Sequence, residues 1–239
     1  MLLEILYRDE YLVAINKPPG LLVHRSPIDR HETEFAVQIL RDQIGEFVYP
    51  VHRLDKPTSG VLLFALDKES AKLMGEQFRA RETKKSYLAV VRGYIEESGV
   101  IEHALSVKLD KIADKDSFDD KEAQDATTHY TRVATVEIPY AVGKYDKTRY
   151  SLVSLEPQTG RKHQLRRHMK HISHHILGDT KYGRGEHNKL IREAFNCYRM
   201  LLHASELQIK HPCTGETLII KAPLDESFNS ICKFFNWHL

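Results

Sequence analysis

His52-Arg53-Leu54-Asp55-Lys56-Pro57-Thr58-Ser59-Gly60 runs without a break into Val61-Leu62-Leu63-Phe64-Ala65-Leu66. The second half is a continuous apolar run of strand length, which reads as a strand buried on both faces. The first half packs charged and hydroxyl side chains against the start of that strand. Polar residues this dense beside a core strand either form a turn or line a pocket. As a turn, Asp55 would bond to nearby backbone N–H groups. As a pocket, it would present a carboxylate on a rigid loop as nucleophile or base, with Arg53 and Lys56 favouring its charged form.

Working outward from this stretch, Glu4–Tyr7 and Tyr11–Asn16 read as short strands about an Asp9-Glu10 turn. Lys17-Pro18-Pro19-Gly20 stops the second strand, because proline cannot donate to the ladder. Leu21–His24 resumes extended chain. Val37, Leu40 and Ile44 give helical spacing over Glu34–Ile44, and Ala71, Met74 and Phe78 do the same over Lys68–Arg81. Tyr87–Val91 and Tyr150–Leu155 are strands by composition, the latter ended by the turn Pro157-Gln158-Thr159-Gly160. Arg161–Ile172 reads as a helix. Ala204–Lys210 and Thr217–Lys221 flank Pro212-Cys213-Thr214-Gly215 as a hairpin. A last helix groups Phe228, Ile231 and Phe235 behind Asp225 as N-cap. Strands outnumber helices and several pair antiparallel, so the expected class is α+β, a mixed and mainly antiparallel sheet with flanking helices. Lys108–Thr127 is charged and weakly patterned, and reads as a surface excursion.

The 239 residues are 41% hydrophobic, enough for a sizeable core, and contain neither an internal repeat nor a Pro/Gly/Ser linker, so the expectation is one domain over 1–239. Lys and Arg exceed Asp and Glu by only two charges (35 against 33), so any affinity for nucleic acid must come from where the charges lie. Cys197, Cys213 and Cys232 form no C-x-x-C pair, which excludes a zinc ribbon or redox motif and points to a reducing cytoplasm. The start lacks the basic and apolar regions of a secretory signal, and the longest apolar run is too short for a bilayer.

Two further constellations carry chemistry. In Lys84-Lys85-Ser86-Tyr87-Leu88-Ala89-Val90-Val91-Arg92-Gly93, Tyr87 is either an ordinary strand tyrosine or a phenol placed to stack on a base, with two lysines suited to phosphate. In Gly160-Arg161-Lys162-His163-Gln164-Leu165-Arg166-Arg167-His168-Met169-Lys170-His171, Leu165 and Met169 face the core, while His163, Arg166, Arg167 and Lys170 form a helix face. A solvated face usually mixes both signs. This one is positive only, with no acidic residue from Arg161 to His175, and suits an anion such as an RNA backbone. The crowded histidines have neither the H-E-x-x-H nor the Cys/His finger spacing, so no metal is expected. No glycine-rich phosphate loop appears, so no nucleotide cofactor is expected either.

Four segments then carry a resemblance in order. They are Asn16-Lys17-Pro18-Pro19-Gly20-Leu21-Leu22-Val23-His24, His52-Arg53-Leu54-Asp55 with Thr58-Ser59-Gly60, Lys85 to Gly93, and Thr159 to Arg166, followed by Leu202-His203-Ala204 and His211-Pro212. Together they resemble the pseudouridine synthases related to the large-subunit ribosomal synthase A. His24-Arg25-Ser26 and Asp110-Lys111-Ile112-Ala113-Asp114-Lys115 are similar to the bacterial members acting on uridine 65 in the T arm of transfer RNA. The resemblance implies one catalytic domain with a central cleft, without the separate N-terminal RNA-binding domain of many relatives. It implies that Asp55 is the essential aspartate and that Arg166 pairs with it. Tyr87 would stack on the target base and help remove its C5 proton, and Arg53 would evict the nucleotide from its helix. Lys17, His52, Lys85, Arg161, His163, Gln164 and Arg167 are expected to contact substrate. Isomerising uridine moves no electrons in or out, so no cofactor is expected. The partner would be transfer RNA, with no DNA and no membrane, and the protein a cytoplasmic monomer. The rivals are a family member acting on ribosomal RNA, a non-catalytic RNA-binding module, and a glycoside hydrolase, which would need a second carboxylate across the cleft.

Overall fold

The computed structural model describes residues 1–25, 33–106 and 122–238. In chain order they form β1 (Glu4–Arg8), β2 (Leu12–Lys17), α1 (Ala36–Ile44), β3 (Tyr49–Pro50), β4 (Ser59–Ala65), α2 (Lys68–Ala80), β5 (Lys84–Arg92) and β6 (Ser98–Glu102). There follow β7 (Thr127–Ile138), β8 (Thr148–Pro157), α3 (Gln164–His171), α4 (Gly185–Phe195), β9 (Leu202–Lys210), β10 (Thr217–Lys221) and α5 (Glu226–Phe234). The strands make one sheet in the order β1-β2-β4-β9-β5-β8-β7-β6. Every pairing is antiparallel except β4 with β9, where Ser59 and Gly60 lie opposite His203 and Ala204. Beyond that short contact β10 takes over the same edge of β9, with Lys221 opposite Glu206, while β3 adds to β4. The class is α+β, as the predominance of strands requires.

Period-two alternation divides the core between two layers. On β5 and β8, Val90, Tyr150 and Leu152 pack with Ile191 of α4 and with Phe228, Ile231 and Phe235. Their neighbours Ala89, Val91, Val153 and Leu155 pack the other way, against Leu165 and Met169 of α3. On β4, Leu62 and Phe64 bury against Leu54 and Leu40 of α1, and Val61, Leu63 and Ala65 against Met74 of α2. Each Val, Leu, Ile, Phe or Met among them contributes about 1.5–3 kcal/mol when fully buried. Tyr87 touches both the α1-side and the α3-side cluster. It therefore stands on the sheet at the seam between them.

The start of β4 has a steric reason to be glycine. Gly60 sits at φ +107°, and a Cβ there would meet the carbonyl oxygen of Ala204 at 2.1 Å. Only glycine allows β4 and β9 to approach this closely, which fixes the strand that follows the Asp55 loop. Elsewhere the structure departs from the sequence expectations. Leu21–His24 forms no strand, only a single bridge between Leu22 and Phe35. The elements β3, β6, β7 and α4 were not anticipated. Most of the charged excursion, 107–121, lies outside the described residues, as do Ser26 and the stretch from Asp110 to Lys115, but its last residue, Thr127, opens the twelve-residue strand β7.

Candidate active site

Asp55 lies on the tight connection into β4. Its carbonyl accepts the N–H of Thr58 at 3.0 Å, closing a turn, and the carbonyl of Lys56 accepts the N–H of Gly20 at 2.8 Å. Beneath this junction the side chain of Lys17 is fully enclosed. Its ammonium donates to the carbonyls of Pro18 (2.9 Å), Leu21 (2.8 Å) and Lys56 (3.2 Å). Lys17 was expected to contact substrate; instead it ties the Pro18–Leu21 segment to the Asp55 loop. Burial, and secondarily the charge of Arg199, lowers its pKa to about 7, against an opposing pull from Asp55.

The carboxylate itself is 26% exposed, so one side stays open. On the closed side Oδ2 accepts Nη1 of Arg166 at 3.1 Å. Arg166 is held in turn by Asp179, through Nε to Oδ2 at 2.7 Å and Nη2 to Oδ1 at 2.8 Å. Asp179 Oδ1 also accepts the amides of Lys181 and Tyr182, and the Tyr182 ring lies 5.1 Å from the guanidinium. Burial alone would raise the pKa of Asp179, but the hydrogen bonds and charge of Arg166, with the two amides, hold it below the ordinary value. Arg166 thus reaches Asp55 from a site braced on three sides.

His163 stands immediately before α3 in the left-handed region, at φ 55° and ψ 29°. Its Nε2 is 3.9 Å from Asp55 Oδ1, and its Nδ1 is 3.0 Å from the Tyr182 hydroxyl. Burial lowers its pKa; Asp55 opposes this, while Arg166, Lys181 and Lys162 reinforce it. Tyr87 is half-buried on β5, and burial followed by the charge of Asp55 pushes its phenol well above the usual range. The structure therefore brings Asp55, Arg166 and His163 together.

Other expected contacts are engaged elsewhere. His52 stacks on Phe78, with centroids 5.0 Å apart, and its Nε2 accepts the N–H of Leu63. Burial lowers its pKa to about 3, so the ring is neutral and serves packing. Gln164 is buried and spends its amide on Thr159, Arg161, Thr127 and Thr128, locking the turn before α3 to the start of β7. Arg161 donates to the carbonyl of Asp125, and Arg167 to Ser106, though both retain exposure. Lys85 is half-buried, and burial and the charge of Arg81 lower its pKa. Arg53 and Lys170 face solvent. Asp179 and Tyr182 were missed. A signal existed: Asp179 is the sole acidic residue from Gly160 to Arg184, and a buried arginine needs a counter-ion. Among the described residues no group of three or more His, Cys, Asp or Glu could hold a metal ion, and no helix is long and apolar enough to cross a membrane.

With this geometry in place, comparison with known proteins is informative. Residues 11–171 match the family model described as RNA pseudouridylate synthase. The chain is 56% identical over 235 residues to a Vibrio parahaemolyticus protein named tRNA pseudouridine synthase C, covering 98% of this chain and 96% of that one. It is 54% identical to the Haemophilus influenzae protein of the same name, covering 99% of each. Among solved structures, human RNA Pseudouridylate Synthase Domain Containing 4 superposes with a TM-score of 0.70 at 28% identity, covering 99% of this chain and 94% of that one.

Proposed function

The chain belongs to the RNA pseudouridylate synthase family, and on that premise we propose that it isomerises uridine to pseudouridine in transfer RNA, at uridine 65 of the T arm. The observation that carries the reading is the Asp55 carboxylate, open on one side and gripped on the other by a buried arginine. The tRNA-directed names of relatives that align along nearly the whole chain support the substrate class.

The reaction breaks the N1–C1′ bond, turns the uracil and joins C5 to C1′. As N1 leaves, C1′ becomes electron-poor, and an ionised carboxylate stabilises or traps it, as in glycoside chemistry. Arg166 aims Asp55 through the bond from Nη1 to Oδ2. Because Asp179 holds the Nε–Nη2 edge of the guanidinium, Nη1 is the donor offered to Asp55, and Oδ1 stays available to substrate. A stem uridine must leave the stack to reach this carboxylate. Tyr87, at the seam of the two clusters, offers a ring for the flipped base, and Arg53, exposed two residues before Asp55, fills the gap in the stem. Arg161, Lys162, Arg167 and Lys170 follow the backbone, reading duplex shape more than sequence. One catalytic domain performs both tasks.

The test is tritium release from [5-³H]uridine-labelled transfer RNA and ribosomal RNA, with product mapping. Wild type releases tritium from transfer RNA and Asp55→Asn does not, while still binding it. Release from ribosomal RNA alone would move the substrate; RNA binding without release from either would leave a binding module.

A further inference from the structure

The groups of the site hang on different parts of one sheet. Asp55 leads into β4, which pairs with β2 and β3. Tyr87 stands on β5, and Arg166 on α3, whose Leu165 and Met169 pack on β5 and β8. In the strand order these two parts meet at β4 and β9. There the ladder is the short parallel contact of Ser59 and Gly60 with His203 and Ala204. Apolar packing strengthens the junction, with Leu207 and Ile209 of β9 in one cluster with Val61 and Leu63 of β4. That attraction is non-directional, whereas catalytic groups must be held within about 0.5 Å of their working geometry.

Directional contacts at the junction come from Arg199, Ser59 and His203, all buried. Arg199 stands just before β9. Its Nε donates to the carbonyl of Met200 at 2.7 Å and its Nη2 to that of Leu202 at 2.8 Å. Its Nη1 donates to Asp225, the N-cap of α5, and also to Ser59 Oγ at 2.9 Å. The guanidinium is thus fastened on the β9 side and extends one hydrogen bond across to β4. The Ser59 hydroxyl passes that bond on, with Oγ 2.8 Å from His203 Nδ1. His203 Nε2 lies 3.1 Å from the carbonyl of Ala222, so Nε2 carries the hydrogen and Nδ1 accepts. Burial, the largest influence on the ring, keeps it neutral.

We propose that Arg199 and Ser59 are positioning residues: the bond from Nη1 to Oγ sets where the Asp55 carboxylate stands relative to Arg166 and Tyr87. The inference rests on the pseudouridylation reading above and goes beyond it by naming what holds the two sides of the site in register. Little slack separates this bond from the carboxylate. Thr58, whose amide closes the turn on the Asp55 carbonyl, directly precedes Ser59 in the chain. Gly60, next along, lies so close to β9 that a Cβ there would meet the Ala204 carbonyl oxygen at 2.1 Å. Ser59 therefore stands at the close approach of the two strands, one residue from the turn that carries Asp55.

Asp225 marks the difference between anchoring and positioning. It pairs with Arg199 and caps α5 through the Phe228 amide, and both contacts stay on its own side of the junction. A change at Asp225 should therefore alter stability, and a change at Ser59 the geometry at Asp55.

The measurement is the single-turnover rate constant of pseudouridine formation in transfer RNA at saturating enzyme, taken well below each variant's Tm, together with the Kd for the same RNA. Ser59→Ala should lower the rate constant by on the order of 10²-fold, the effect of a misplacement of about 1 Å, with Kd unchanged. Asp225→Asn should lower Tm and leave the rate constant at its wild-type value. Arg199→Met should slow the reaction as Ser59→Ala does. The double variant should be no slower than the slower single, since both remove the same bond. A purely structural role would move Tm without moving the rate constant in any of them. Should Ser59→Ala not fold, Arg199→Lys takes its place. It keeps a charge beside Asp225 but gives up the planar fork that reaches Ser59 along with two carbonyls, and the same loss of rate is expected. The proposal is overturned by Ser59→Ala, or Arg199→Lys in its place, at the wild-type rate constant, or by weakened RNA binding in place of a slower step. It is equally overturned by Asp225→Asn slowed as much as Ser59→Ala, or by a double variant slowed by the product of the two singles. Failure of wild type to form any pseudouridine would instead overturn the reading on which it rests.

Discussion

Replacing Asp179 by asparagine tests whether the Arg166 site is held by charge or merely by packing. The two side chains are 6% and 1% exposed and joined by two short hydrogen bonds. Asparagine keeps one acceptor but turns the other toward the guanidinium as an N–H₂, donor against donor. Breaking a buried pair from one side costs about 3–5 kcal/mol; two charge-assisted hydrogen bonds at about 1.5–3 kcal/mol each give a similar range. Since one acceptor survives, the lower end applies, about 3 kcal/mol. For a chain of this length that lowers Tm by about 6–12 °C. The assay is thermal unfolding of wild type, Asp179→Asn, Arg166→Met and the double variant. With methionine at 166 no buried cation needs a partner, so the asparagine substitution should then cost less than about 1 kcal/mol. A cost equal in both backgrounds would refute the counter-ion reasoning. The pH dependence has a fixed sign: the folded pKa of Asp179 is depressed, so its contribution is present above 3.8 and lost as pH falls through the lower folded value. Asp179→Asn should lack that acid loss.

Two further substitutions separate scaffolding from substrate contact. Lys17→Met keeps the length of the side chain but takes the donor from the carbonyls of Pro18 and Leu21, while that of Lys56 still accepts the Gly20 amide, costing about 1–3 kcal/mol in denaturant unfolding and lowering kcat, with RNA affinity unchanged; weakened binding would return Lys17 to the RNA surface. Because its folded pKa is about 7 against an ordinary 10.5, the unfolded chain holds the extra proton between these values, so wild-type stability rises with pH there and the variant lacks that rise. His52→Phe keeps the stack on Phe78 and removes the acceptor for Leu63. Wild type should lose stability as pH falls from 6.5 toward 3, where the unfolded histidine protonates and the folded one does not, and the variant should not. Unchanged RNA affinity is expected, and a loss would place the ring in the interface.

Much of the fold was legible because burial writes itself into periodicity. The apolar run of β4, the Met74 stripe of α2 and the Asp225 cap, whose side chain accepts the Phe228 amide, all appear where local pattern and local structure agree. The strand β7 escaped because Arg132 stands on its more buried face and Val133 on its exposed one, which interrupts the apolar alternation in the sequence, and because its first residue closes a charged stretch. Helix α4 escaped because Arg184 supplies no side-chain cap, so its start carries no punctuation. In the site, the family resemblance named Asp55, Tyr87, His163 and Arg166 but could not assign depth. Lys17, His52 and Gln164 look like ligand contacts in a string of letters, and only the three-dimensional path shows Lys17 and His52 spending their polar atoms on backbone groups and Gln164 on backbone groups and the hydroxyls of Thr159 and Thr128. Asp179 lies thirteen residues beyond Arg166, in a turn with no pattern of its own, and is found only by asking what neutralises a buried guanidinium.

That same question explains how a chain with a net charge of +2 can address a polyanion. At physiological ionic strength a phosphate senses charge within about 8 Å, so the sum over the molecule matters little. The positive segment around α3 is sorted by depth. Arg166 turns inward and is neutralised by Asp179 and Asp55, His163 and His168 have their pKa values lowered by burial, and what remains toward solvent is Arg161, Lys162, Arg167 and Lys170 with no acidic neighbour in the segment. One stretch of chain therefore performs two electrostatic tasks. On the function proposed above, its buried arginine would hold a carboxylate in place for chemistry, and its exposed cations would draw a phosphate backbone to that carboxylate. The acidic residue that separates the tasks is Asp179: by occupying Nε and Nη2 of Arg166 it leaves Nη1 alone to meet Asp55, while the cations of the outer face have no such internal partner among the acidic residues of the segment.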